Sequence, residues 1–168
     1  MKVLQNLDED RWTTLSEQER LDVLNVVCRI EARYLGIEPI KLSAENMPAG
    51  KRGATHWNSA EVVLNRKDLR TASSFDMLVA AIHESFHVYQ HDLVSVYDQL
   101  DDSQRDLLCF RAVGVYKAEV ENYINAVEDA DAYMNQSLEQ AAMCYSYDAA
   151  KEYLDAVAEY LNPPDTVE

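Results

Sequence analysis

The chain has 168 residues, enough for one domain with a core and too few for two comfortable ones. It carries 30 acidic against 15 basic side chains, a formal net charge of −15 with no basic stripe to offset it, so it repels nucleic-acid phosphate and no nucleic-acid partner is expected. No run of 18 apolar residues exists, which argues against a membrane-spanning helix and a membrane partner.

The opening "MKVLQNLDEDRWTT" lacks the apolar core and cleavage site of a signal peptide, so a cytoplasmic location is expected. Residues 1–12 and 162–168 read as mobile ends of a single domain spanning 1–168. Cys28, Cys109 and Cys144 are odd in number and form no C-x-x-C pair. Reduced thiols packed on helices are expected, not a disulfide frame or a cysteine metal site.

Four helices and a small sheet are predicted. The first helix is signalled by "TLSEQERLDVLNVVCRIEARYLG". Ser16 with Glu19 forms a capping box, Gly36 is a natural C-cap, and Leu24, Val27, Ile30 and Tyr34 make a stripe at helical spacing. Between Ile37 and Asp68 the short runs "PIKLS", "ATHWN" and "EVVLN" read as strands of an antiparallel sheet, with "PAGKRG" (48–53) as a loop between two of them. The second helix begins near Ser73, capped by Ser73 with Asp76, and runs to about Asp92 or beyond. The third starts near "DDSQRD" with Ser103 and Asp106 as its cap and continues through "LLCFRAVGVYKAEVENYI". The fourth holds "SLEQAAMCYSYDAAKEYLDAVAEYL", where Leu138, Ala142, Tyr145, Ala149, Tyr153, Ala156 and Tyr160 form one stripe, and Pro163 and Pro164 end it. The fold class is therefore α+β, mainly helical, with a small antiparallel sheet beside the second helix.

That second helix carries "AAIHESFHVYQHD", which places His83, Glu84 and His87 in the order H-E-x-x-H. Residues four apart share a helix face, so His83 and His87 can offer two imidazoles to one cation. Glu84 lies about 100° around from His83, so its carboxylate can reach a water on that cation without being a ligand. Zinc brings such a water to a pKa of about 7, and Glu84 then serves as its base. The bland alternative is two core or surface histidines on a helix.

A catalytic zinc usually keeps three protein ligands. The third-histidine extension fails, since position 90 is Gln and position 93 is Leu. His91 lies one turn too far along the helix, and His56 reads as a sheet-surface histidine. Carboxylates from a later helix remain: Glu119, Glu121, Glu128 and Glu139. Glu128 sits in the acidic stretch "AVEDADAY", which reads as a solvated turn. Glu139, near the start of the fourth helix beside its apolar stripe, is the better placed of the two.

The pieces "LSEQERLDVLNVVCRIEARYLGI", "EVVLNRKDL", "AAIHESFHVYQHDLV", "ENYIN" and "YMNQSLEQAAMCY" together cover much of residues 12–147. With them the chain resembles small bacterial zinc metallopeptidases of the gluzincin type, and more narrowly the short single-domain HExxH proteins of bacterial genomes. The resemblance implies a zincin-like fold, one zinc per chain, and a peptide or protein substrate. In that group the segment similar to "YMNQSLEQAA" reads Gln-x-x-Glu-x-Asp-Ala, and its Glu is the third ligand, which implies Glu139. Here Ala141 stands where an acidic residue is usual, which implies that a metal-bound histidine lacks a hydrogen-bonding partner. In gluzincins an edge strand beside the HExxH helix holds extended peptide. The resemblance points to "AEVVLN" (60–65) for that role, against its plain reading as a core strand. A tyrosine or histidine often steadies the oxyanion in such enzymes. Tyr145 and Tyr147 lie near Glu139 in sequence, although stripe packing accounts for Tyr145 as well.

The leading expectation is thus a zinc-dependent hydrolase with His83, His87 and Glu139 as ligands and Glu84 as base. Ala141 and the acidity motivate a second reading, a non-catalytic protein of the same fold with a regulatory or partner-binding role. A third is a helical domain without metal, including an acidic DNA mimic.

Overall fold

The computed structural model describes residues 2–56 and 59–163, so the expectations at Trp57, Asn58 and Pro164 lie outside the described residues. The architecture is mostly helical with one three-stranded sheet, an α+β fold.

Residues 2–12 are not the loose end expected. A 3-10 turn at Leu4–Leu7 and helix α1 (Glu9–Trp12) place Leu4, Leu7 and Trp12 in the core. The Trp12 indole donates to the Ala72 carbonyl at 3.0 Å, and the Glu9 carboxylate accepts from both the Ser74 amide and hydroxyl at 2.9 Å. Apolar burial and these bonds fix the segment against the start of the helix that carries H-E-x-x-H.

Helix α2 (Glu17–Leu35) opens on the predicted Ser16–Glu19 capping box and closes at Gly36, whose φ of 72° is a left-handed conformation that glycine adopts without strain. Its buried face differs from the predicted stripe. Leu24 and Val27 are buried, but Ile30 and Tyr34 are 40% and 78% exposed. The inward positions that apolar spacing missed hold Arg20 and Glu31. Both find partners there: Arg20 donates through its terminal nitrogen to the Leu69 and Arg70 carbonyls, and Glu31 accepts from the Tyr145 and Tyr153 phenols.

The sheet comprises β1 (Lys41–Glu45), β2 (Gly53–His56) and β3 (Glu61–Asn65) in the order β1-β3-β2. It is mixed, not antiparallel. β2 pairs antiparallel with β3, but β1 pairs with β3 in parallel, Leu42 opposite Val62 and Ala44 opposite Leu64. Residues 46–52 carry the chain from β1 past the central position to the far edge, and β3 then returns between its two neighbours. As the middle strand, β3 buries Val62, Val63, Leu64 and Asn65 in succession, the continuous pattern of a strand covered on both faces. Residues 60–65 therefore offer no free edge, which removes them as a peptide-binding strand. The strand beside the H-E-x-x-H helix with an outer edge is β2.

Asn65 caps a short helix that the sequence pattern missed, α3 (Arg66–Thr71). Helix α4 (Ser74–Tyr97) begins at the predicted Ser73 cap and continues past Asp92 to Tyr97. It is buried without interruption from Met77 to His83. The reason is its central place, packed on α2, on β2 and β3, and on two later helices.

The predicted third helix is broken. α5 (Asp102–Arg105) is capped by Asp101 with Gln104 instead of Ser103 with Asp106, a 3-10 turn follows at Leu108–Phe110, and α6 (Arg111–Glu121) completes the stretch. Among residues 95–135 only Val113 is buried, so no sustained apolar face exists to hold one long helix. A further short helix, α7 (Ala130–Met134), was not foreseen. The last helix, α8 (Ser137–Leu161), matches its predicted span, and buries Leu138, Glu139, Ala142, Ser146, Ala150 and Val157. Tyr145 and Tyr153 of the predicted stripe turn their phenols to Glu31, and Ala156 and Tyr160 are exposed. Among the described residues no helix is long and apolar enough to cross a membrane.

Candidate metal centre

Helix α4 presents His83 and His87 one turn apart, both buried, with their Nε2 atoms 3.0 Å from each other. Helix α8 supplies Glu139 from its first turn, 3% exposed, with Oε2 at 3.3 Å from His83 Nε2 and 3.5 Å from His87 Nε2. Among the described residues these three are the group of His, Cys, Asp and Glu side chains whose donor atoms converge on one point. Ligands about 2.0–2.1 Å from a tetrahedral ion lie about 3.3 Å from one another. The three separations of 3.0, 3.3 and 3.5 Å bracket that spacing. The group can hold a metal ion.

The tautomer of His87 follows from its neighbours. The Gln90 side-chain Nε2 donates to the Leu138 carbonyl at 2.9 Å, which fixes the direction of the amide. The opposite atom, Gln90 Oε1, then faces His87 Nδ1 at 2.8 Å and can only accept. His87 Nδ1 is therefore the protonated nitrogen of the neutral ring, and its Nε2 lone pair points into the site. His83 has no such support, since its Nδ1 is buried without a hydrogen-bond partner among the described residues.

Glu139 is held by phenols on both oxygens. Tyr123 donates to Oε1 at 2.7 Å and Tyr133 to Oε2 at 2.6 Å. Burial pushes the Glu139 pKa up, but the hydrogen bonds to His83 and His87, the His87 charge and the Tyr133 phenol outweigh it and hold the carboxyl far below its usual range. Burial likewise pushes the His87 imidazolium down, and its contact with Glu139 and the charge of Glu84 outweigh that and raise it. Burial and the Glu139 carboxylate push both tyrosines well above the ordinary phenol value, so they stay protonated donors.

Glu84 is half-buried on the neighbouring face of α4. Its charge is felt at both His87 and Tyr133. The Thr55 hydroxyl on β2 donates to Glu84 Oε2 at 2.7 Å and also lies 2.9 Å from the Glu84 main-chain oxygen. Opposite it stands Gly53, where a Cβ would lie 2.8 Å from Glu84 Cγ. The absence of a side chain at residue 53 makes room for the Glu84 carboxylate.

The other sequence candidates are elsewhere. Glu119 on α6 accepts from the Ser137 and Leu138 amides at 2.8 Å and thereby caps α8. Glu121 pairs with Lys117 at 3.0 Å, and Glu128 is exposed in a turn with Asn125. His56 is exposed at the end of β2, and His91 lies half-buried with Val120 and Leu138. Tyr145 donates to Glu31 and exposed Tyr147 packs its ring against Phe75, so neither of the tyrosines singled out by sequence touches Glu139. The tyrosines that do are Tyr123 and Tyr133, and the sequence pattern assigns no role to them, to Thr55 and Gly53, or to Gln90 beyond its breaking the third-histidine extension. Of these only Gln90 left a readable signal, lying three residues after His87 on the same helix. Comparison of the chain with protein-family models, curated proteins and solved structures finds no match, so the site is read from its own geometry.

Proposed function

We propose that the protein is a zinc-dependent hydrolase that cleaves peptide bonds. The observation that carries this reading is the convergence of two imidazoles and one carboxylate with a fourth group, Glu84, oriented beside them by Thr55. Two nitrogens and one oxygen suit zinc, and three protein ligands leave a position for water and substrate. When bound, zinc supplies Lewis acidity toward a water and toward the scissile carbonyl.

The chain's own residues supply the remainder. Glu84 accepts a proton from the water, holds it at Oε1 or Oε2, and returns it to the leaving amine nitrogen. Thr55 fixes which way that carboxylate points, and Gly53 leaves it space. Gln90 keeps the His87 lone pair facing inward. The outer edge of β2, next to Glu84, suits an extended peptide, whose backbone can add to the strand; this favours peptide over other carbonyl substrates.

The test is metal content and cleavage together. Purified protein should hold one zinc per chain, Glu84→Gln should keep the metal and lose all peptide cleavage, and His83→Ala should lose the metal. Unchanged zinc content in His83→Ala sinks the proposal. One observation favours a second reading, a zinc-holding protein that does not cleave and serves a partner: His83 Nδ1 lacks the support that His87 has. Under that reading Glu84→Gln leaves every function of the protein intact.

A further inference from the structure

The two phenols on Glu139 do more than fill its lone pairs. An ionised carboxylate has two equivalent oxygens and binds a cation through one or both. In this site the two oxygens are not equivalent. Oε1 receives Tyr123, whereas Oε2 receives Tyr133 and also faces both histidine Nε2 atoms. The two rings meet edge-to-face with centroids 6.2 Å apart, so each limits where the other can go.

The placement of these tyrosines does not come from the main core. Tyr123 follows α6 and Tyr133 lies on α7, within a stretch whose one buried side chain is Val113. Polar links dock that stretch onto the start of α8. Glu119 accepts from the Ser137 and Leu138 amides, and the Gln136 amide accepts from the Ile124 N–H and donates to its carbonyl, both at 3.0 Å. These links end on Gln136, Ser137 and Leu138, the three residues just ahead of Glu139. The local structure is built around the orientation of one carboxylate.

We propose that Tyr123 and Tyr133 are positioning residues that restrict Glu139 to binding the metal through Oε2 alone. This deepens the hydrolase reading and rests on its metal site. Tyr123 holds Oε1 away from the ion, and Tyr133 leaves Oε2 one lone pair, aimed at the histidines. Single-oxygen binding keeps the ion at three protein bonds and preserves the position that water and substrate need.

The experiment uses Tyr123→Phe and Tyr133→Phe, with Tyr145→Phe as a control whose lost phenol bond is to Glu31. Zinc affinity is measured by competition with a chromophoric chelator, and the visible spectrum is recorded for each protein loaded with cobalt(II). Each site variant should bind zinc about 10- to 100-fold more weakly, while the control stays close to wild type. The cobalt bands should lose intensity in Tyr123→Phe, because the freed Oε1 joins the ion and raises its coordination number. A folded Tyr123→Phe with wild-type affinity and an unchanged cobalt spectrum overturns the inference while leaving the metal site standing. Wild-type protein that binds neither zinc nor cobalt overturns both. Should the variants fail to fold, the crystal structure of zinc-loaded wild type decides. One Glu139 oxygen at the ion, with Tyr123 still on the other, supports the inference, and two oxygens at the ion overturn it.

Discussion

Gln90 bonds to His87 Nδ1 with one end of its amide and to the Leu138 carbonyl with the other, at 2.8 and 2.9 Å. One buried side chain thus ties a histidine of α4 to the residue that precedes Glu139 on α8. Truncation at Gln90 removes no ligand but frees the His87 ring to rotate and to change tautomer. Gln90→Leu should therefore weaken metal binding by roughly 10- to 100-fold. It should also cost about 1–3 kcal/mol in stability, because the buried His87 Nδ1–H loses its acceptor. Isothermal titration with zinc and urea unfolding of the metal-free protein measure the two effects separately. Wild-type affinity in a folded Gln90→Leu removes the orienting role.

Gly53 and Glu84 are related by exclusion. A methyl group at residue 53 would sit 2.8 Å from Glu84 Cγ and 3.1 Å from its Oε1, so the helix-borne carboxylate must swing away. The atom nearest the new methyl lies close to the backbone, where a side chain has little freedom to give. Gly53→Ala is expected to keep its zinc and to lose peptide cleavage by on the order of 100-fold, the usual consequence of moving a base by about 1 Å. Metal analysis beside a peptidase assay checks this. Loss of the metal together with activity shows that residue 53 supports the whole site and not Glu84 in particular.

The parts of the fold legible in the sequence are those written in local chemistry. The caps at Ser16 and Ser73, the left-handed Gly36 and the four-residue spacing of His83 and His87 all depend on residues within one or two turns of each other. The span of β3 was legible for the same reason, whereas β1 begins two residues later than the run "PIKLS", and its parallel pairing with β3 depends on where a loop carries the chain, which no local pattern encodes. The face of α2 was misread because Arg20 and Glu31 lie inward. Their burial is licensed only by partners 49 to 122 residues away. The phenols on Glu139 escaped notice in the same way. Ten tyrosines are chemically alike in a sequence, and only the docking of residues 122–134 onto α8 selects two of them.

Glu119 was a ligand candidate and turns out to cap α8, accepting from two amides of its first turn at 2.8 Å. The α8 N-terminus has no side-chain cap of its own, so this carboxylate replaces one and joins α6 to α8. Glu119→Ala is predicted to cost about 1–2 kcal/mol, the range of a lost N-cap. Because Glu139 sits in that same first turn, zinc affinity should fall as well. Glu128→Ala, in an exposed turn, should change neither. Urea unfolding of the two variants and their zinc titrations test the assignment. Equal behaviour of both removes the capping role.

Glu139 and His87 also set a pH dependence that differs between the metal-free and metal-loaded protein. The Glu139 carboxyl is held below its ordinary 4.5, so its contribution to stability is present above about pH 4.5 and is lost as the pH falls through the lower folded-state value. The His87 imidazolium is raised above its ordinary 6.5, so its contribution is present below pH 6.5 and is lost as the pH rises through the raised value. Protein stripped of metal should gain most from the pair between pH 4.5 and 6.5. Zinc would be held by these same two side chains together with His83, in competition with the proton. Metal binding needs unprotonated imidazoles, so the added stability should grow as the pH rises through the histidine range. Thermal melts across pH 4 to 8.5, with chelator or with excess zinc, should therefore diverge on the alkaline side. In Glu139→Gln the mildly acidic optimum of the metal-free protein should flatten. An optimum that persists unchanged in that variant means the pair does not set the pH dependence.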